Sequence, residues 1–146
     1  MKRLLTATIV ALAVPAVPAT AQAALPPAGS GTLEVQGMAE QNEAQNQAQI
    51  APQYGHYIGF RASWPGKLRE PRVTLRCYQG GEFPVYMQWG SPSDAYLLAG
   101  PLWSGGAAEC TAELLYRLSS NGTTEYKGNG VYTTVVLANT TFAVAP

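Results

Sequence analysis

Two cysteines occur in the chain, and each sits on the apolar side of a short alternating run. In 72–78, Val73, Leu75 and Cys77 share one face, with Arg72, Thr74, Arg76 and Tyr78 on the other. In 108–116, Ala108, Cys110, Ala112, Leu114 and Tyr116 share a face opposite Glu109, Thr111 and Glu113. Successive side chains of a strand point to opposite sides of its sheet, so both sulfurs are expected in the core. Between these runs, 85–89 places Val85, Met87 and Trp89 on one side and Tyr86 and Gln88 on the other. The more apolar set predicts that Trp89 faces inward.

The N-terminal residues bear on what two inward cysteines do. Met-Lys-Arg is followed by an apolar run over 4–14 and a small-residue end, Ala21-Gln22-Ala23. This is the pattern of a cleaved secretory leader, with the cut expected after Ala23 or, second, after Ala21. The apolar run is shorter than the roughly 20 residues that span a bilayer. No cysteine lies near the cut for a lipid, and no second apolar stretch follows. The expectation is an exported chain, secreted or at the cell surface, with no integral membrane segment after cleavage. In an oxidising compartment, two inward cysteines are expected to bridge. On the chain-entropy account, closing a loop of this length stabilises the fold by roughly 4 kcal/mol.

Three segments follow from composition: a leader (1–23), an arm rich in Pro, Gln and Ala (24–52), and a folded domain (53–146). The arm carries a Pro/Gly stretch at 25–31 and the polar run Gln41-Asn-Glu-Ala-Gln-Asn-Gln-Ala-Gln49, which has no apolar stripe to offset ordering entropy. Within it, 32–36 is a candidate edge strand. From Tyr54 onward, Gly-, Pro- and Asn-containing turns separate short alternating runs, and no ten-residue window shows helical periodicity. Ile58 and Phe60 are the expected inward residues of the first run. The runs at 131–138 and 141–144 are read as one long strand with a break near Asn139. The expected class is an all-β antiparallel sandwich.

Cys77, Trp89 and Cys110 on alternating runs resemble the immunoglobulin-type Cys…Trp…Cys core. That resemblance implies a compact immunoglobulin-like β-sandwich in which one inter-sheet disulfide joins 72–78 (as strand B) to 108–116 (as strand F). It also implies that Trp89, on strand C, packs against the bridge. The interval between the cysteines is shorter than in most such domains, and Ala108 stands where a tyrosine is expected. Cys-Tyr-Gln-Gly-Gly together with Trp-Ser-Gly-Gly-Ala-Ala-Glu-Cys is also similar to small exported proteins of high-GC Gram-positive bacteria.

Several chemistries find little support. Loss of Lys2 and Arg3 leaves seven basic against nine acidic residues, a net charge of −2. The basic residues are scattered in sequence, apart from Arg69, Arg72 and Arg76, which fall close together with Glu70 among them; this argues against nucleic acid as a partner. His56 and Asp94 are the only histidine and aspartate, and neither lies in a nucleophile motif. Glu109 and Glu113 are about 13 Å apart along a strand at roughly 3.3 Å per residue, too far for a glycosidase pair. No metal or cofactor is indicated. Asn121-Gly-Thr and Asn139-Thr-Thr match glycosylation acceptors and are read as polar loop or strand residues.

The remaining signal is aromatic. Tyr86, Gln88, Tyr96 and Trp103 form the expected binding surface, on which tyrosines stack against a sugar or anchor a partner. Trp103 has a second reading, as a plug at the end of the sandwich. The expected function is a non-enzymatic binding or structural module for a protein or glycan ligand. The alternative is a secreted inhibitor of a protease or other hydrolase, acting through a loop at 89–95 or 102–107.

Overall fold

The alternation in 72–78 is realised as a strand with a strict pattern of buried and half-buried residues. A computed structural model describes residues 25–38, 51–66, 69, 71–119 and 132–146. Among these residues there are seven strands and no helix. They are β1 (Thr32–Gly37), β2 (Tyr57–Ser63), β3 (Arg72–Tyr78), β4 (Tyr86–Gly90), β5 (Tyr96–Leu97), β6 (Ala108–Ser119) and β7 (Tyr132–Val144). They form two antiparallel sheets, β1-β2-β5 and β4-β3-β6-β7. One core lies between them: Leu33, Ile58, Phe60 and Tyr96 from the first sheet meet Val73, Leu75, Leu114 and Leu137 from the second. The expected all-β class, two-sheet architecture and disulfide are all present.

The disulfide is placed differently from the immunoglobulin-like expectation. Cys77 and Cys110 are bonded at 2.01 Å, but they are direct partners on the neighbouring strands β3 and β6 of one sheet. The Cys77 carbonyl accepts from the Val85 N–H on the β4 side, so its backbone polar groups point away from β6. The two cysteines therefore form a narrow, non-hydrogen-bonded pair, with Cα atoms 4.0 Å apart. Opposed side chains come closest in such a pair, which brings the two Cβ atoms within reach of a disulfide. The bridge is thus within a sheet, and the strands matched to B, C and F all belong to that same sheet.

The chain joins the fold earlier than 53. β1 pairs with β2 along its whole length, so 25–38 belongs to the sandwich and not to an arm. The rest of the expected arm at 39–50, the leader at 1–23 and the acceptor at Asn121 lie outside the described residues. The break foreseen near Asn139 is a β-bulge two residues earlier. Leu114 pairs with Ala138 and Leu115 with Val136, leaving Leu137 as the extra residue on a continuous β7. At the bulge, the Gly29 and Gly31 N–H groups donate to the Val136 and Leu137 carbonyls, each at 3.0 Å. These bonds stitch the first sheet to the edge of the second.

Gly31 makes that seam possible. A Cβ there would lie 2.6 Å from the Ser63 carbonyl oxygen and 3.2 Å from the Leu137 Cβ. Gly31→Ala is expected to destabilise the protein by about 1–3 kcal/mol, read as a lowered urea midpoint, because backbone must move to admit the methyl. An unchanged midpoint would show that the seam is slack.

Candidate binding face

The register of β3 against β4 sets which side chains can serve a ligand. Val73 pairs with Gly90, Leu75 with Gln88 and Cys77 with Tyr86. Residues opposed across paired strands lie on the same face, so Tyr86, Gln88 and Gly90 share the inner side with Val73, Leu75 and Cys77. Met87 and Trp89 point outward and are 62% and 63% exposed. This reverses the expected polarity of β4 and removes Trp89 from the core. Gly90 shows why the inner side takes this set. A Cβ there would meet the Asp94 Oδ2 at 2.5 Å and the Tyr96 Oη at 3.0 Å, so a side chain at the end of this strand could not be accommodated.

The core indole belongs to Trp103 instead, only 2% exposed. Its ring sits 5.2 Å from Tyr54 and 5.9 Å from Tyr86. Its Nε1–H donates to the Gly106 carbonyl at 3.2 Å, and its own carbonyl accepts from the Tyr54 hydroxyl at 3.1 Å. Trp103 closes one end of the sandwich, the second of its two readings. Tyr96 is fully buried, stacks edge-on against Phe60 and donates to the Ser91 carbonyl at 2.8 Å. The Tyr86 hydroxyl donates to Gln88 Oε1. The expected surface of Tyr86, Gln88, Tyr96 and Trp103 is therefore an inward-facing cluster. An aromatic with one polar tip can satisfy that tip internally, and these three do so.

A different set occupies the outer face of β4-β3-β6-β7. Arg72, Thr74 and Arg76 project from β3, Met87 and Trp89 from β4, and Arg117 from β6, around a groove of about 330 Å³. Leu115, opposite Arg72 and almost buried, forms part of the groove lining. The Arg72 guanidinium lies over the Trp89 ring, 4.9 Å from its centroid. At a partly exposed site such a pair stabilises by about 0.5–1 kcal/mol. Arg76 Nη1 donates to Glu113 Oε2 at 3.0 Å, a half-exposed ion pair of small net effect, on the order of 0–1 kcal/mol. Arg117 of β6 is thus brought to the same groove as Arg72 and Arg76, which share one face of β3.

The other candidates are dispersed. His56 is exposed before β2, and its carbonyl accepts from the Leu98 N–H. Asp94 Oδ2 accepts from the Ser91 N–H at 2.7 Å, which ties that carboxylate into its own turn. Among the described residues, no three of His, Cys, Asp and Glu converge as metal ligands. No helix among them is long and apolar enough to cross a membrane. The chain matches no family model, and no curated protein or solved structure matches it.

Trp89 and Trp103 should separate cleanly on mutation. Trp103→Ala is expected to cost about 3–5 kcal/mol, as for other large core truncations. Trp89→Ala should cost no more than about 1 kcal/mol, the scale of its contact with Arg72. Urea titration checks both, and similar losses would refute the assignment of faces.

Tyr86 supplies a pH signature. Burial pushes its phenol from 10.0 up to about 12. The unfolded chain then releases this proton before the folded one does. The stabilising effect is complete below pH 10 and is lost as pH rises through about 12. Tyr86→Phe should flatten the decline in melting temperature between those values relative to wild type. An unaltered slope would show that the Tyr86 phenol is not desolvated.

Proposed function

We propose that the chain is an exported, non-enzymatic binding module, acting at the cell surface or outside the cell through the outer face of its four-stranded sheet. One observation carries this reading: a largely exposed indole and three arginines stand together on a rigid sheet, where they contribute little to the core. The intact disulfide supports an oxidising compartment. Side chains rooted in paired strands lose little freedom on binding, so less of the contact energy goes into ordering them.

A second reading, inhibition of a hydrolase by a loop, draws support from 102–107. Leu102 is 75% exposed, while the neighbouring residues are pinned by buried Trp103 and by Gln79 Nε2, which donates to the Gly105 carbonyl at 2.9 Å. A rigid loop with one projecting apolar side chain is a fitting shape for a protease cleft.

The two readings part on different residues. On isolated cell-envelope material, the exported chain should be retained, and Trp89→Ala should reduce retention at least tenfold while Leu102→Ala leaves it unchanged. Stoichiometric inhibition across a protease panel, abolished by Leu102→Ala and indifferent to Trp89→Ala, would transfer the function to the loop.

A further inference from the structure

We infer that the groove takes an acidic polysaccharide, a chain of sugar rings bearing carboxylate or phosphate groups. The inference rests on the binding-face reading above and adds the ligand's chemistry.

Charge gives the first argument. The exported chain carries a net charge of −2, yet the groove is lined by Arg72, Arg76 and Arg117 and by no acid. With Glu113 and Glu109 of the same outer face counted, three arginines still stand against two glutamates. Guanidinium forks match carboxylate and phosphate oxygens in paired hydrogen bonds, and the bond to Glu113 uses one of the five Arg76 N–H donors.

Spacing gives the second argument. Arg72 and Arg76 flank Thr74 on β3, with Cα atoms about 13 Å apart at roughly 3.3 Å per residue. Arg117 continues the line on β6, two residues beyond the Arg72 partner Leu115. Cations strung along a sheet suit a repeating anion, because a single small anion needs donors that converge. The groove is not an enclosed cavity.

The third argument is the apolar strip. Trp89 and Met87 stand side by side on edge strand β4, parallel to the arginine line. A ligand that fits both must be apolar on one side and anionic on the other. A pyranose ring has this character: its C–H face lies flat on an indole, while its acid substituent reaches the arginines. Thr74 and Thr111 lie on the same face and offer hydroxyls to ring oxygens. Single-stranded nucleic acid shares the charge, but its bases stack on successive exposed aromatic platforms, and this face holds one largely exposed indole, with half-buried Tyr78 two residues beyond Arg76.

The test uses the exported chain with its disulfide intact and four probes: polygalacturonate, phosphomannan, neutral dextran and oligo-deoxythymidine. Binding to polygalacturonate, phosphomannan or both is expected, with no measurable binding to dextran and weakening as salt is raised. The two acidic arms tell carboxylate from phosphate as the anion read. Trp89→Ala and Arg117→Ala should each weaken binding at least tenfold, with the near-ultraviolet spectrum confirming the fold. Equal binding of dextran, or tighter binding of the oligonucleotide, would overturn the ligand class and leave the face in place. Failure to bind either acidic polymer, with envelope retention still sensitive to Trp89→Ala, would do the same. Indifference of every readout to both substitutions would overturn the ligand and the face together.

Discussion

The pairing of β3 with β6, closed by the Cys77–Cys110 bond, is the constraint on which the rest depends. Side chains alternate with a period of two, so a slip of one residue would exchange core and surface along the whole strand. A covalent bond between direct partners forbids that slip. With Cys77 held opposite Cys110, Val73 and Leu75 stay inside, and Arg72, Thr74 and Arg76 stay outside. β4 inherits its parity from β3 through the Cys77–Tyr86 pair, and β7 inherits its own from β6. The disulfide therefore does more than shorten the unfolded chain: it holds the register that creates both the core and the candidate binding face.

The bulge at Leu137 plays the complementary part at the other edge. A long two-stranded ladder has no reason to bend toward a second sheet. One extra residue turns two β7 carbonyls toward 29–31, and the small residues there approach closely enough to accept the geometry. The first sheet is thereby attached to β7 at one side. At the other side, Tyr96 reaches back to the Ser91 carbonyl and the loop after β5 folds over Tyr86. Trp103 fills the space that this loop encloses.

The outer face follows from the same parity. Residues excluded from the core by register must either be solvated or meet something else. Arg72 covers part of an indole, Arg76 holds Glu113, and Leu115 lies among their stems. Each contact is weak alone. Together they hold aromatic and cationic groups in fixed positions on a stiff support, which is the property a binding surface needs.

Much of the fold was legible in the sequence. Alternation, turn residues and the absence of a 3.6 period specified strands, and the inward residues of β2, β3 and β6 emerge as read, Ile58, Leu75 and Cys110 among them. These strands have one clearly apolar side, and burial of that side outweighs other terms. β4 departs from the expected polarity because both its sides carry large side chains. Met87 and Trp89 are more apolar than Tyr86 and Gln88, but hydropathy within one strand cannot decide a parity imposed by its neighbour. The same holds for Arg117, which is distant along the chain from Arg72 and Arg76 and comes beside them only once β3 and β6 are paired. The amino-acid order by itself determined that strands form, which faces of most are buried, and that two inward sulfurs meet. Tertiary structure alone decided that the bridge lies within one sheet, that Trp103 and not Trp89 is enclosed, and that Arg117 joins Arg72 and Arg76 at one groove. Those outcomes depend on inter-strand register, a relation between segments that no single segment encodes.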